Sequence, residues 1–251
     1  MHSSTFWKNH FTRNLKQERI DWNIIPSLRE SEKENILYSL KAWQLGETSE
    51  GVQLLKATKK YAKKIKDPFY VDAMKLFIKE EQKHGNNLGK YIDLIGEKRK
   101  TVDWGDSLFR KIRHLNSSIE SWTITVIIVE YAAQIFYAAL RDATQCDLLK
   151  SICNDILIDE AHHIKFQNER LKIIFEKKSM YLKAFSIGVY GILFFATIHA
   201  VWFGHHKAFK AGGVSKQEFM RKMNFKFFNT LKTIHARVIN QDLDAPVQVL
   251  G

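Results

Sequence analysis

Hydrophobic positions recur at helical spacing through most of the chain as far as Lys178. A capping box at Ser31 to Glu34 precedes a row of apolar residues, which predicts a first helix over about 31–66. Asp67 and Pro68 predict the start of a second helix that reaches about residue 96, and the later rows predict helices over about 104–142 and 147–178. Long helices with short connections predict an all-α, antiparallel four-helix bundle over 29–178, after an N-terminal extension at 1–28.

The chain changes character after the predicted bundle. The segment from Ala184 to His206 contains no Lys, Arg, Asp or Glu. This segment is long enough to span a bilayer, but a buried helix or a dimer interface has the same pattern. A second capping box, Ser215 to Glu218, then predicts a basic amphipathic helix. We therefore expect a C-terminal extension over 179–240, formed by an apolar helix and a basic helix.

Composition and charge narrow the class of protein and of partner. With 45% hydrophobic residues, 3 Pro and 12 Gly among 251 residues, long helices are favoured over the many turns of a barrel. The net charge of +12 favours an anionic partner such as a membrane surface or an acyl carrier protein. No nucleic-acid-reading motif accompanies this charge, so we expect no nucleic-acid partner.

The cysteines and the amino terminus bear on the compartment. Cys146 and Cys153 are separated by about two helical turns, which is too far for a disulfide. The opening residues have no apolar core of signal-peptide length. We expect a cytoplasmic protein, with peripheral association to a membrane as an alternative.

The motif Glu-x-x-His occurs twice, once in the second and once in the fourth predicted helix. Its members are Glu81 with His84, and Glu160 with His163. A spacing of three places a carboxylate and an imidazole on one helical face, where both can bind the same metal ion. In the third helix, Glu130 is the only charged residue between Trp122 and Leu140. A buried carboxylate is costly unless a metal, a proton or a partner neutralises it.

The heights of these residues along the bundle agree with a common site. Glu130 precedes Thr144 by nearly the same distance as Glu160 follows it, so an antiparallel pair brings the two carboxylates level. Glu81 lies about four helical turns after Asp67, so its partner in the first helix is expected near position 50. Glu50 fits that height best, whereas Glu47 lies on the apolar row of the helix. The sequence leaves both residues as candidates.

This constellation resembles the ferritin-like di-iron carboxylate superfamily, in its oxygenase and oxidase branch. The resemblance implies one ligand set of Glu50 or Glu47, Glu81 and His84, and another of Glu130, Glu160 and His163, with Glu81 and Glu160 bridging. It also implies that the acidic residue before each motif, Glu80 or Asp159, accepts the ring N–H of the opposite histidine and orients it.

The same resemblance implies a non-haem di-iron oxidoreductase that activates O2 to monooxygenate or desaturate a hydrophobic or carrier-linked small metabolite. Its cofactor would be two iron ions, or Mn/Fe or Mn/Mn, with electrons from an external donor and a homodimer as a candidate assembly. Tyr137 and Cys153, each about two helical turns from a candidate ligand, are candidates to line the substrate cavity, with ordinary core residues as the alternative. The alternative functions are a ferroxidase or iron-storage protein, and a non-catalytic, metal-stabilised, membrane-associated helical protein.

Overall fold

The computed structural model describes residues 1–105, 107 and 118–235. Over these residues the regular structure is entirely helical. The helices are α1 (Ser4–Asn14), α2 (Glu30–Glu47), α3 (Val52–Ile65), α4 (Pro68–Leu94), α5 (Ile119–Asp142), α6 (Asp147–Glu176), α7 (Met180–Ala211) and α8 (Lys216–His235).

The first helix of the bundle is broken into α2 and α3, so the prediction of one continuous helix over 31–66 is wrong. The Thr48 hydroxyl donates back to the carbonyl of Leu45 at 2.7 Å, and Gly51 takes a left-handed conformation with φ of 62°. A Cβ at Gly51 would also lie 2.6 Å from Cδ1 of Ile78. Glycine therefore permits a turn at this point that another residue would disfavour.

The second and fourth bundle helices agree with the predictions. At the start of α4, the Asp67 side chain accepts the N–H of Tyr70, and Pro68 occupies the first helical position. The third bundle helix, α5, begins later than predicted, because Ser118 caps it by accepting the N–H of Ser121. Of the predicted stretch 104–118, residues 106 and 108–117 lie outside the described residues.

The core forms where α2, α3, α4, α5 and α6 face one another. Helix α5 carries buried residues on nearly every turn, which agrees with its central position. Helix α1 packs against α4 and buries Trp7 and Phe11. At the other end of the chain, α7 and α8 bury Phe209 and Phe219 completely. Both terminal segments thus contribute to the hydrophobic core, α1 to one cluster of buried residues and α7 with α8 to another. The boundaries 1–28, 29–178 and 179–240 stay a prediction.

Two helices are long and apolar enough to cross a membrane by length and composition alone: α5 and α7. The most apolar window of α5 is 78% buried inside the protein, as expected for a core helix. The corresponding window of α7 is only 33% buried. The segment 184–206 is therefore not a fully buried helix, since one of its faces packs on the bundle and another faces outward.

Candidate metal centre

Six side chains that could bind metal ions converge from four helices at one depth inside the bundle. They form two groups, and within each group the ligand atoms all lie within 4.8 Å of one another. The first group is Glu81, Glu130, Glu160 and His163, and the second is Glu47, Glu81 and His84. Glu81 belongs to both groups, and Oε1 of Glu160 lies 3.8 Å from Nδ1 of His84. Both carboxylates therefore lie between the two histidines.

The structure places Glu47, not Glu50, in this cluster. Glu47 is 7% exposed and accepts a hydrogen bond of 2.6 Å from the Tyr137 hydroxyl. Glu50 lies in the break between α2 and α3 and is exposed to solvent. The prediction that the first-helix ligand lies near residue 50 assumes one continuous helix. The turn at 48–51 breaks that helix, so the prediction does not hold.

Each histidine is held on its outer side by an acidic residue of the opposite motif. His84 donates from Nε2 to Asp159 at 3.1 Å, and His163 donates from Nε2 to Glu80 at 2.9 Å. Because the carboxylates accept at Nε2, the neutral rings carry their protons there and present Nδ1 lone pairs to the cluster. This is the tautomer and orientation that a metal-binding imidazole requires.

The amino-terminal segment supplies two further partners to these acidic residues, Asn14 at the end of α1 and Arg19 after it. Asn14 donates from Nδ2 to Glu80 at 2.9 Å and to Asp159 at 2.8 Å, and it is only 6% exposed. Arg19, just after this helix, adds contacts to Asp155 and Asp159. Sequence reasoning missed both residues, because their partners lie far away along the chain. The only local signal is the apolar spacing of Trp7 and Phe11 on the same face as Asn14, which marks α1 as a packed helix.

The inward-facing donor atoms of the cluster lack well-oriented hydrogen-bond partners. They are Oε1 of Glu81, Nδ1 of His84, both carboxylate oxygens of Glu160, and Nδ1 of His163. Buried polar atoms are almost always hydrogen-bonded, so five such atoms in one place indicate a ligand. Four carboxylates also offer the charge that two divalent cations would neutralise. The residues present therefore fit a pair of transition-metal ions with mixed carboxylate and imidazole ligands.

Burial and crowding perturb the pKa values of the cluster. Burial and the neighbouring Glu81 raise the pKa of Glu47 to about 8. Burial also raises the pKa of Glu160 well above its usual value, with a further contribution from Glu130. Burial alone would lower the pKa of His163, but Glu81, whose Oε1 lies 2.7 Å from Nδ1, and Glu80 more than compensate and raise it well above its usual value. Without metal, the cluster is thus expected to retain protons that cations would replace.

A cavity of about 530 Å³ adjoins the cluster. Three candidate ligands, Glu47, Glu81 and Glu130, form part of its wall. The large apolar side chains of the remaining wall come from α2, α3, α4, α5 and α7 and include Trp43, Leu54, Phe77, Ile78, Trp122, Val126, Val129 and Val201. Polar side chains, which include Thr48, Glu50, Gln53 and Asp103, form another part of the wall. The cavity can therefore hold an apolar molecule directly beside the candidate metal ions.

The two residues proposed to line a substrate cavity lie elsewhere in the core. Tyr137 is fully buried and contacts the cluster through Glu47 rather than through the cavity. Cys153 is also fully buried, and neither residue is part of the cavity wall. In Cys153 burial raises the pKa of the thiol above its usual range. An unreactive core thiol is the expected result.

Four further histidines, His162, His199, His205 and His206, lie apart from the cluster. His162 bonds the Ile158 carbonyl of its own helix. His199 and His206 also bond carbonyls of their own helix, while His205 hydrogen-bonds Ser39. Among the described residues, these histidines join no group of three metal-ligating side chains.

Comparison with known proteins rests on structure rather than on sequence. No family model matches the chain, and no curated protein matches it. A variant of an R2-like ligand-binding oxidase with an aerobically reconstituted Mn/Fe cofactor aligns with a TM-score of 0.66 and 16% identity, over 92% of this chain and 93% of that chain. The chain has the ferritin-like fold of the di-iron carboxylate proteins.

Two further ferritin-like structures support this assignment of the fold. An R2-like ligand-binding oxidase without metal cofactor aligns with a TM-score of 0.64 and 15% identity, over 92% of this chain and 96% of that chain. A protein with aldehyde deformylating oxidase activity from Synechococcus aligns with a TM-score of 0.59 and 16% identity, over 83% of this chain and 93% of that chain. The similarity to the R2-like oxidases covers nearly the whole of each chain, so it extends beyond the four-helix bundle.

Proposed function

We propose that the protein is a non-haem di-iron oxidoreductase that activates O2 to oxidise a hydrophobic small metabolite, by monooxygenation or desaturation. One observation carries the proposal: a buried cluster of four glutamates and two histidines shares a wall with an apolar cavity. A metal pair at that place would act directly on a molecule in the cavity. The solved structures with this fold include named oxidases, which supports the same class of reaction.

The proposed ligands are Glu47, Glu81 and His84 for one ion, and Glu130, Glu160 and His163 for the other, with Glu81 and Glu160 between them. When bound, the iron pair supplies the redox chemistry that activates O2. The protein's own residues hold the ions, keep the site dry and position the substrate. An Mn/Fe pair is the alternative cofactor, since one of the similar structures contains it.

The cavity supports a substrate with a large apolar part, although Glu50 and Asp103 also line it. Its largest lining side chains are aromatic or aliphatic, and its volume of about 530 Å³ is in the range of small-molecule sites. The imidazole of His205, in the wall, has its pKa lowered to about 4 by burial, so it adds no positive charge at neutral pH. A carrier-linked substrate would place its acyl or alkyl part in this cavity.

The proposed catalytic cycle requires electrons, and we propose that a separate electron donor supplies them. The basic surface supports an anionic partner, either a membrane surface or an acyl carrier protein. A homodimer stays a prediction of the sequence analysis.

The test is O2 consumption by the iron-loaded protein, with mass spectrometry of candidate apolar aldehydes, acids and alkyl amines. We expect Glu47→Gln to lose most of the iron-dependent O2 uptake, because it removes a proposed ligand. Glu34→Gln, which is exposed on α2 and lies outside the cavity wall, is the matched control and should behave as the unsubstituted protein. Iron mineralised inside a large cage, without substrate oxidation, would instead identify a storage protein.

A further inference from the structure

Helix α7 presents a long apolar face to the outside of the protein. The exposed fractions are 84% for Tyr181, 72% for Phe185, 75% for Ile192, 63% for Phe195 and 76% for Phe203. These five residues, which we term the apolar face of α7, lie on one side because their spacings follow the helical period. From the first to the last residue the face is about 33 Å long.

The apolar face is larger than the surface patches of ordinary soluble proteins. Five large side chains exposed to this extent offer roughly 700 to 900 Å² of apolar area, whereas the largest patch of a typical monomer is about 300 to 600 Å². The opposite side of the helix buries Tyr190, Phe194 and Ile198 against the bundle. Phe203 contacts the half-exposed Trp104, but within the described part of the chain all five side chains stay largely exposed, which indicates an external partner.

The charges around the apolar face indicate what this partner is. From Lys177 to Lys216 the sequence has six lysines and no acidic residue. Lys177 lies exposed at one end of the face, beside the exposed Glu176, and Lys207 and Lys210 lie exposed at the other end, where no acidic residue is near in sequence. A surface that is apolar in the middle and cationic at both ends complements a bilayer with anionic headgroups.

A second copy of the chain fits this face less well. If the α7 helices of two copies packed antiparallel, Lys177 of one copy would lie near Lys207 of the other. If they packed parallel, each lysine would lie near the same lysine of the other copy. Neither arrangement offers an acidic partner from this segment, and like charges across an interface disfavour association.

We propose that α7 lies in the interface of an anionic lipid bilayer, with its apolar face inserted and the lysines at its two ends among the headgroups. The helix lies in the plane of the membrane and does not cross it, because its other side is fixed to the bundle by buried side chains. The proposed membrane-binding surface lies on α7 and does not include the basic residues of α8.

The same helix separates the membrane from the cavity. Val201 and His205 of α7 line the cavity, and the half-exposed Trp104 packs against Phe203 with ring centroids 6.2 Å apart. An apolar substrate dissolved in the bilayer would thus reach the cavity along α7. This last step rests on the proposed function, whereas membrane binding does not.

Vesicle flotation tests the proposal with the full-length, metal-loaded protein. We expect binding to vesicles of phosphatidylcholine with phosphatidylglycerol at low salt, and weaker binding to phosphatidylcholine alone. The double variant Phe185→Ser/Ile192→Ser should reduce the partition coefficient at least about tenfold, because it removes two side chains proposed to enter the lipid. Ile25→Ser/Phe69→Ser, which changes two exposed apolar side chains outside α7, is the matched control and should bind as the unsubstituted protein.

A charge variant gives an independent test. Lys207→Gln/Lys210→Gln should weaken binding about fivefold per lysine, whereas Lys59→Gln/Lys63→Gln on α3 should have little effect. No binding to anionic vesicles, or an equal loss in both control variants, would overturn the proposal. So would a stable dimer in light scattering that Phe185→Ser/Ile192→Ser dissociates without any vesicle binding. Metal content and O2 uptake are measured on the same samples, so failure of membrane binding and failure of the oxidase proposal give different results.

Discussion

Asn14 offers the sharpest test of how the amino-terminal helix supports the centre. Its side-chain amide donates to Glu80 and to Asp159, and each of these carboxylates orients one histidine of the cluster. In Asn14→Ala, both carboxylates would lose a buried donor at once. Hydrogen bonds to charged groups contribute about 1.5 to 3 kcal/mol each. Arg19 remains bound to Asp159, so we expect a total loss of about 3 kcal/mol rather than the full sum.

This loss should be visible in stability and in metal binding. A change of about 3 kcal/mol lowers Tm by roughly 6 to 12 °C for a chain of this size. Residues that orient metal-binding side chains affect metal affinity about 10- to 100-fold when changed. The assays are thermal unfolding of the metal-free protein and competitive titration of iron(II) against a chelator. Asn9→Ala, an exposed asparagine on the same helix, is the control.

The two readouts separate positioning from simple packing. If Asn14→Ala lowered Tm while the iron affinity stayed as in the unsubstituted protein, Asn14 would be a structural residue without influence on the centre. If neither quantity changed, the hydrogen bonds assigned to Asn14 would be wrong.

Three further predictions follow from the centre and its surroundings. Tyr137→Phe removes the hydrogen bond to Glu47 and should weaken iron binding about tenfold in a chelator titration; an unchanged affinity would contradict a link between the two residues. Burial raises the pKa of Glu47 to about 8 in the folded protein. The resulting contribution to the free energy of unfolding is fully present at pH values below the pKa that Glu47 has in the unfolded chain, and it is lost as the pH rises through 8. Urea unfolding of the metal-free protein should therefore show a falling free energy of unfolding from about pH 5 to pH 8, and the metal-loaded protein should show little such slope; a rising free energy would refute this. Gly51→Ala should destabilise the protein by about 1 to 3 kcal/mol, because its φ is positive and a Cβ would meet Ile78, and an unchanged urea midpoint would show that the turn relaxes freely.

The sequence predicts those parts of the centre that depend on local spacing. The doubled Glu-x-x-His motif and the lone Glu130 in an apolar helix are visible without a structure, because each pattern lies within one helix. The choice between Glu47 and Glu50 is not visible in the sequence, because it depends on the break at 48–51. At that break Gly51 lies close to Ile78 of α4, and a contact between two helices is not visible in the local pattern of the sequence.

Long-range partners were equally out of reach of sequence reasoning. Asn14 and Arg19 are 66 and 136 residues from the acids they contact, Glu80 and Asp155. The cavity wall is also built from five helices, so Tyr137 and Cys153 could not be excluded from it by their register alone. The fold class depends on patterns within helices and on short connections, and it was predicted correctly.

In the proposed centre, six side chains from four helices hold two metal ions beside the cavity. Anomalous diffraction at the iron edge from crystals of the iron-loaded protein would locate these ions. We expect two peaks, one within about 2.0 to 2.3 Å of His84 and Glu47 and one at the same range from His163 and Glu130, with Glu81 or Glu160 between them. A single peak, or peaks away from these residues, would show that the proposed centre is wrong.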